Sequence, residues 1–183
     1  MTNITLAITG SISAYKAADI TSALGKLGHE ATVLMTDAAQ AFITPLTLQV
    51  LSKRPVHTDV MAEDKADSVN HIDLAKETEI FLVAPASADT IARLAQGRAD
   101  DIVSAVALAL PQDVKKIIAP AMNTNMYENP LTQRNIQTLL DLGFKSIEPK
   151  IALLACGDVG RGALADVTDI VQFVQEICSD SKA

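Results

Sequence analysis

Apolar positions along the chain follow two rhythms. Residues 3–9 (NITLAIT), 31–36 (ATVLMT), 79–84 (EIFLVA) and 116–119 (KIIA) are short, nearly continuous apolar runs, the pattern of parallel strands covered on both faces. Between these runs apolar residues recur every three or four positions. Residues 14–27 carry Ala17, Ile20, Leu24 and Leu27 at that spacing and stop at Gly28, which predicts a helix. Helices are likewise expected over 44–51, opened by Pro45, and over 88–95, 99–110, 131–142 and 167–178, with a further short strand over 146–148. Pro85 is expected to end the third strand. Residues 52–73 are polar and irregular, a long loop or small excursion in which a helix begins near His71. There is no internal repeat, low-complexity stretch or linker. Strands alternating with helices predict an α/β fold: one doubly wound, mostly parallel, Rossmann- or flavodoxin-like sheet in a single domain over residues 1–183.

Composition narrows what this fold can bind. Hydrophobic residues are 49% and charged residues 20% of 183, enough for a sizeable core. The net charge of -7 argues against nucleic acid or an anionic membrane as partner, so any phosphate must be held locally. No basic and apolar leader and no run of ~18 apolar residues is present, which predicts a cytoplasmic protein that does not enter membranes.

Ligands of doubly wound sheets bind beyond the carboxyl ends of the strands, so the residues after each strand form one rim. That rule gathers residues 10–13, 36–37, 85–90 and 120–125. Gly10, Ser11, Ile12 and Ser13 place backbone N–H groups and two hydroxyls at a helix start, which suits a single phosphate; the alternative is a plain helix cap with nothing bound. A pyrophosphate would call for the spacing G-x-G-x-x-G, which is missing. Lys16 either adds charge there or snorkels to solvent. Ser87, Ala88, Asp89 and Thr90 form a second hydroxyl-rich helix start, and together the two favour a mononucleotide such as FMN. Aromatic residues are only 3%, so a flavin would rest on aliphatic side chains with Phe42 or Phe81.

In the segment APAMNTNMYENP, Asn123, Asn125 and Met126 follow a strand end without hydrophobic periodicity, as in a loop of Asx-turns. An asparagine amide there can also grip a carboxylate without the charge that would hold it too tightly for loss as carbon dioxide. Of three histidines, His29 and His57 sit in a turn and a polar loop and are expected to be exposed and idle. His71, at a helix start, is either a cap or an acid, base or hydrogen-bond donor. The stretch LLACGDVGRGAL has three glycines in six residues and reads as a flexible lid carrying Cys156. Cys178 reads as packing, and no metal site is expected, because Cys156 has no second ligand at metal spacing.

The ordered motifs GSIS, PASADT, PAMNTNMY and LACGDVGRG, with His71 between the first two, resemble the homo-oligomeric flavin-containing cysteine decarboxylases, over residues 1 to about 175. The resemblance is nearest to the branch serving coenzyme A biosynthesis, whose substrate is 4'-phospho-N-pantothenoylcysteine. It implies that Gly10, Ser11, Ile12 and Ser13 hold the FMN phosphate, and that Thr36, Ser87, Ala88, Asp89, Thr90 and Ala121 line the ribityl chain and isoalloxazine. It implies His71 and Cys156 as catalytic residues and Asn123 with Met126 as the substrate-carboxylate site.

The implied chemistry is flavin oxidation of the cysteinyl thiol to a thioaldehyde, loss of carbon dioxide, and re-reduction of the enethiolate, with Cys156 supplying a proton and 4'-phosphopantetheine as product. Members without the lid cysteine stop at the enethiol. Trimers, in some members assembled as dodecamers, with FMN and His71 meeting across subunits, are a further implication.

Three departures stand out. Tyr127 replaces a frequent tryptophan. Asp89 replaces a frequent asparagine and adds negative charge beside the flavin. Ala163-Leu164 replaces Arg-Met in some members, leaving Arg161 as a substitute anchor for the substrate phosphate. The ligase half of fused bacterial versions is missing, which implies that the synthase that makes phosphopantothenoylcysteine is a separate chain. A flavin prenyltransferase and a non-catalytic FMN-binding regulatory subunit share the fold and remain alternatives.

Overall fold

The computed structural model describes residues 1–63 and 69–180. Its centre is a sheet of six parallel strands in the order β3-β2-β1-β4-β5-β6, formed by β1 (Asn3–Ile8), β2 (Glu30–Met35), β3 (Val56–His57), β4 (Ile80–Ala86), β5 (Lys115–Pro120) and β6 (Phe144–Ser146). The helices are α1 (Ala17–Lys26), α2 (Asp37–Gln40), α3 (Pro45–Ser52), α4 (Asn70–Glu77), α5 (Ala88–Ala95), α6 (Ile102–Ala109), α7 (Thr124–Glu128), α8 (Pro130–Asp141) and α9 (Val167–Asp180). A 3-10 turn over Ile12–Lys16 leads into α1, and β7 (Lys150–Leu153) with β8 (Val159–Ala163) makes a separate antiparallel ribbon.

Each strand side chain alternates between the two faces of the sheet, so the continuous apolar runs feed two cores. Ile4, Leu6 and Ile8 of β1 and Ile80, Leu82 and Ala84 of β4 join one core, which α1 and α9 cover. Ala7, Phe81, Val83 and Ala86 enter the other, covered by α4, α5, α6 and α8. All seven residues of β4 are buried. The doubly wound, mostly parallel sheet expected from the sequence is therefore present.

Several boundaries differ from the sequence reading. Pro85 does not end β4, since the strand runs through a cis Ala84–Pro85 peptide and pairs Ala86 with Pro120. The short strand expected over 146–148 lies at Phe144–Ser146. Residues 52–73 contain β3, two residues long, and the start of α4; residues 64–68 of that stretch lie outside the described ones. His29 and His57 are half-buried rather than idle at the surface: His29 bonds Gln175 on α9, and His57 sits in β3 within 3.4 Å of Asn70 Nδ2. Cys178 packs in the first core as expected, and both cysteines are free thiols. Among the described residues no helix is long and apolar enough to cross a membrane.

Candidate functional site

A cleft of about 1300 Å³ opens at the carboxyl edge of the sheet. All four rim segments line it, together with the inner side of the β7–β8 ribbon. The volume exceeds the ~300–1,000 Å³ of an ordinary ligand pocket, which leaves room for a cofactor and a substrate side by side.

Each rim segment is fixed by its own helix cap. Ser11 Oγ accepts from Ser13 N at 3.3 Å, Thr36 Oγ1 from Ala39 N at 3.3 Å, Ser87 Oγ from Thr90 N at 3.2 Å and Asn123 Oδ1 from Asn125 N at 2.8 Å. Asp101 caps α6 in the same manner and also lines the cleft. Capping and ligand binding are thus not exclusive here, because the capping side chain holds the turn while its neighbours face the cleft. Gly10 is required by close approach, since a Cβ there would stand 2.6 Å from that of Ala38.

Thr9, which the sequence reading passed over, joins two of these turns. Its buried hydroxyl donates to Pro85 O at 2.7 Å and accepts from Ser87 N at 2.9 Å, tying the end of β1 to the end of β4. A threonine at the end of an apolar strand, beside a glycine, was the available signal.

The PASADT turn directs its polar groups mostly inward. Ser87 Oγ donates to Thr90 Oγ1 at 3.2 Å. Asp89 is not an unbalanced charge beside the cleft, because Arg93 Nε reaches its carboxylate at 2.8 Å. Arg93 also contacts Asp100 at 2.8 Å and Asp101 at 3.7 Å, and Arg98 pairs with Asp100. The hydrogen bonds that Arg93 donates to Asp89 and Asp100 raise its guanidinium above the ordinary range, and the one it donates to Asp100 lowers that carboxyl.

The ribbon forms the cover. Leu153 begins its tip and Gly157, at φ +91°, turns it. Its glycines serve contact more than looseness. A Cβ on Gly160 would collide with Thr124, and one on Gly162 with the carbonyl of Met122, where Met122 N instead donates to Gly162 O at 2.9 Å. That seating brings Cys156 over the PAMN turn. Asn123 Nδ2 donates to Cys156 Sγ at 3.2 Å, and the thiol donates to Asp158 Oδ2 at 3.3 Å. Because Asn125 N takes Asn123 Oδ1, the amide must present its N–H₂ end to the cleft.

The flanking ribbon edge is tied down by Glu148, which accepts from Tyr127 Oη at 3.2 Å and faces Arg161 at 3.6 Å. Burial, then the Glu148 carboxylate, push the Tyr127 phenol above its ordinary value. Arg161 does not line the cleft, so the anchor expected there points away from it.

Met126 and Ala121 line the cleft; of the two aromatics considered as a rest for a flavin, Phe42 lines it and Phe81 is fully buried in the sheet. Of the residues expected to be catalytic, to hold the substrate carboxylate or to hold FMN, His71 is the one that does not line the cleft of its own chain. It is half-buried on α4, with a buried Nδ1 that has no hydrogen-bond partner among the described residues. No group of three or more His, Cys, Asp or Glu side chains that could hold a metal occurs among the described residues.

Residues 1–179 match the Flavoprotein family, and the chain belongs to it. Among its relatives is a probable phosphopantothenoylcysteine decarboxylase of Streptococcus mutans, 61% identical over 94% of this chain and 97% of that one. The coenzyme A biosynthesis bifunctional protein CoaBC of Bacillus subtilis is 41% identical over 95% of this chain but only 42% of its own length. In structure the chain is similar to a PPC decarboxylase mutant complexed with pantothenoylaminoethenethiol, with a TM-score of 0.88 at 29% identity over 97% of this chain and 98% of that one. It is also similar to the FMN-binding protein AtHal3, with a TM-score of 0.84 at 29% identity over 98% and 97%.

Proposed function

We propose that the protein is a phosphopantothenoylcysteine decarboxylase, converting 4'-phospho-N-pantothenoylcysteine to 4'-phosphopantetheine with FMN as its cofactor. The observation that carries this reading is the pairing of Asn123 with Cys156 over the cleft. Near-complete coverage of a 61% identical decarboxylase relative supports it.

The donor set fits a flavin mononucleotide. Neutral turns at residues 10–13 suit its phosphate, Thr36 and residues 87–90 its polyol and ring edge, and Ala121 with Ala88 and Ile102 offers apolar walls. When bound, the flavin supplies reversible two-electron oxidation of the substrate thiol, which creates the electron sink that decarboxylation needs. The remaining tasks fall to the chain. Asn123 turns its N–H₂ toward the cleft and holds the substrate carboxylate without a formal charge, with Met126 beside it. Departure of carbon dioxide is then not opposed by an ion pair. Cys156, held beside Asn123, donates its Sγ proton to the enethiolate carbon.

His71 completes the site from a neighbouring copy, in a trimer or a dodecamer of four trimers. Its position off its own cleft supports this, as do Ile12, Tyr15, Leu46 and Val50, apolar side chains each more than half exposed. The reading includes one domain over residues 1–183 and a cytoplasmic location.

Purified protein supplied with carboxyl-labelled substrate should release labelled carbon dioxide and form saturated 4'-phosphopantetheine. Cys156→Ser should still release carbon dioxide but give the unsaturated enethiol, lighter by one pair of hydrogens. Release of no carbon dioxide by the wild-type protein would rule the proposal out.

A further inference from the structure

Among the described residues, the cations lining the cleft are Lys16, Arg93 and Lys150. Arg93 is committed to three carboxylates. Lys150 is different. It opens β7 directly opposite Ala163 of β8, and it lines the cleft together with Ala152, whereas the intervening Ile151 is 66% exposed. Its ammonium pairs with Asp166, on which Lys16 also acts, and the Lys150 contact is the main reason that the Asp166 carboxyl is lowered. Lys150 thus holds a carboxylate at the foot of the lid, and Lys16 lines the same cleft.

We propose that Lys150, assisted by Lys16, forms a subsite for a phosphomonoester dianion, and that this phosphate is the substrate's own. The inference rests on the decarboxylase reading above. The thiol end of the substrate belongs under Cys156 at the ribbon tip, and β7 rises about 3.3 Å per residue, so Lys150 stands roughly 10 Å down the ribbon from Leu153. The substrate likewise carries its cysteine and its phosphate at opposite ends of an extended diamide. One lid thus grips both ends. The resting pair with Asp166 is solvent-exposed on both sides, 37% and 56%, and such a pair contributes little, so it yields to a dianion. On a chain of net charge -7, lysine ammonium groups facing the cleft offset the repulsion that a second dianion would meet beside the cofactor phosphate. The neutral turn at residues 10–13 serves the cofactor phosphate, and among the described residues these lysines are the cleft cations not committed to several carboxylates.

The test uses the flavin-loaded protein, with calorimetric titration of 4'-phosphopantetheine and pantetheine. Wild type should prefer the phosphorylated ligand. Lys150→Ala should cut that preference about tenfold, as expected for loss of one charge-assisted contact. Lys150→Arg should retain it, and Asp166→Asn, which frees the ammonium, should increase it. Thermal melting identifies any variant whose fold is damaged, and Lys150→Arg and Asp166→Asn then carry the test. An unchanged preference in Lys150→Ala overturns the assignment. So does a loss of preference for FMN over riboflavin in its place, which would give the cation to the cofactor phosphate. Carbon dioxide release by wild type, measured alongside, separates failure of this subsite from failure of the decarboxylase reading.

Discussion

At the scale of single residues, the turn-forming side chains were the most legible and the buried fasteners the least. Gly10, Ser11, Ser87 and Asn123 announce themselves because each follows an apolar run and opens a helix. Thr9 does not, since its two bonds go to a strand distant in sequence. Thr9→Val should leave Pro85 O and Ser87 N unpaired and cost about 1–3 kcal/mol. Melting should fall by roughly 2–4 °C for each kcal/mol lost, and flavin binding should weaken as the two turns part. Tyr127 gives a second residue-scale expectation. Its phenol is raised in the fold, so above about pH 10 the unfolded chain releases a proton that the folded chain keeps. Stability then falls as pH rises. Urea melts of Tyr127→Phe should lose that part of the alkaline decline, and identical pH profiles for both proteins would contradict the assignment.

At the scale of elements, apolar period located β1, β2, β4, β5 and the longer helices, because each buries a continuous face. It failed for β3, α2 and α7, which are two, four and five residues long and too short to show a period. It also failed for the β7–β8 ribbon. Ile151, Leu153 and Val159 are exposed while Gly160 and Gly162 pack against the PAMN turn, the reverse of a core pattern, so the segment reads as a loose loop. Gly162→Ala should push the ribbon off the Met122 carbonyl and lift Cys156 from Asn123. Product analysis should then show a shift from 4'-phosphopantetheine toward the enethiol; an unchanged product ratio would argue that the ribbon is not the proton-delivering cover. The Arg93 cluster belongs to this scale too. Arg93→Ala leaves Asp89 and Asp101 uncompensated at a cleft that must accept an anion, Asp100 keeping Arg98, so FMN affinity should drop, and added salt should restore part of it.

At the scale of the whole molecule, the sheet topology explains why distant motifs meet, since all four rim segments leave the carboxyl edge of one parallel sheet. What one chain does not assemble is the histidine. Mixing inactive His71→Asn subunits with inactive Asn123→Ala subunits should regain activity if sites are shared between copies, and no recovery would contradict that arrangement. The central claim is that this cleft holds FMN for the decarboxylation itself. Its most direct test is turnover of carboxyl-labelled substrate by protein stripped of flavin and then titrated with FMN. Carbon dioxide release should be absent from the stripped protein and return in proportion to bound FMN, whereas equal release with and without the cofactor would contradict the account.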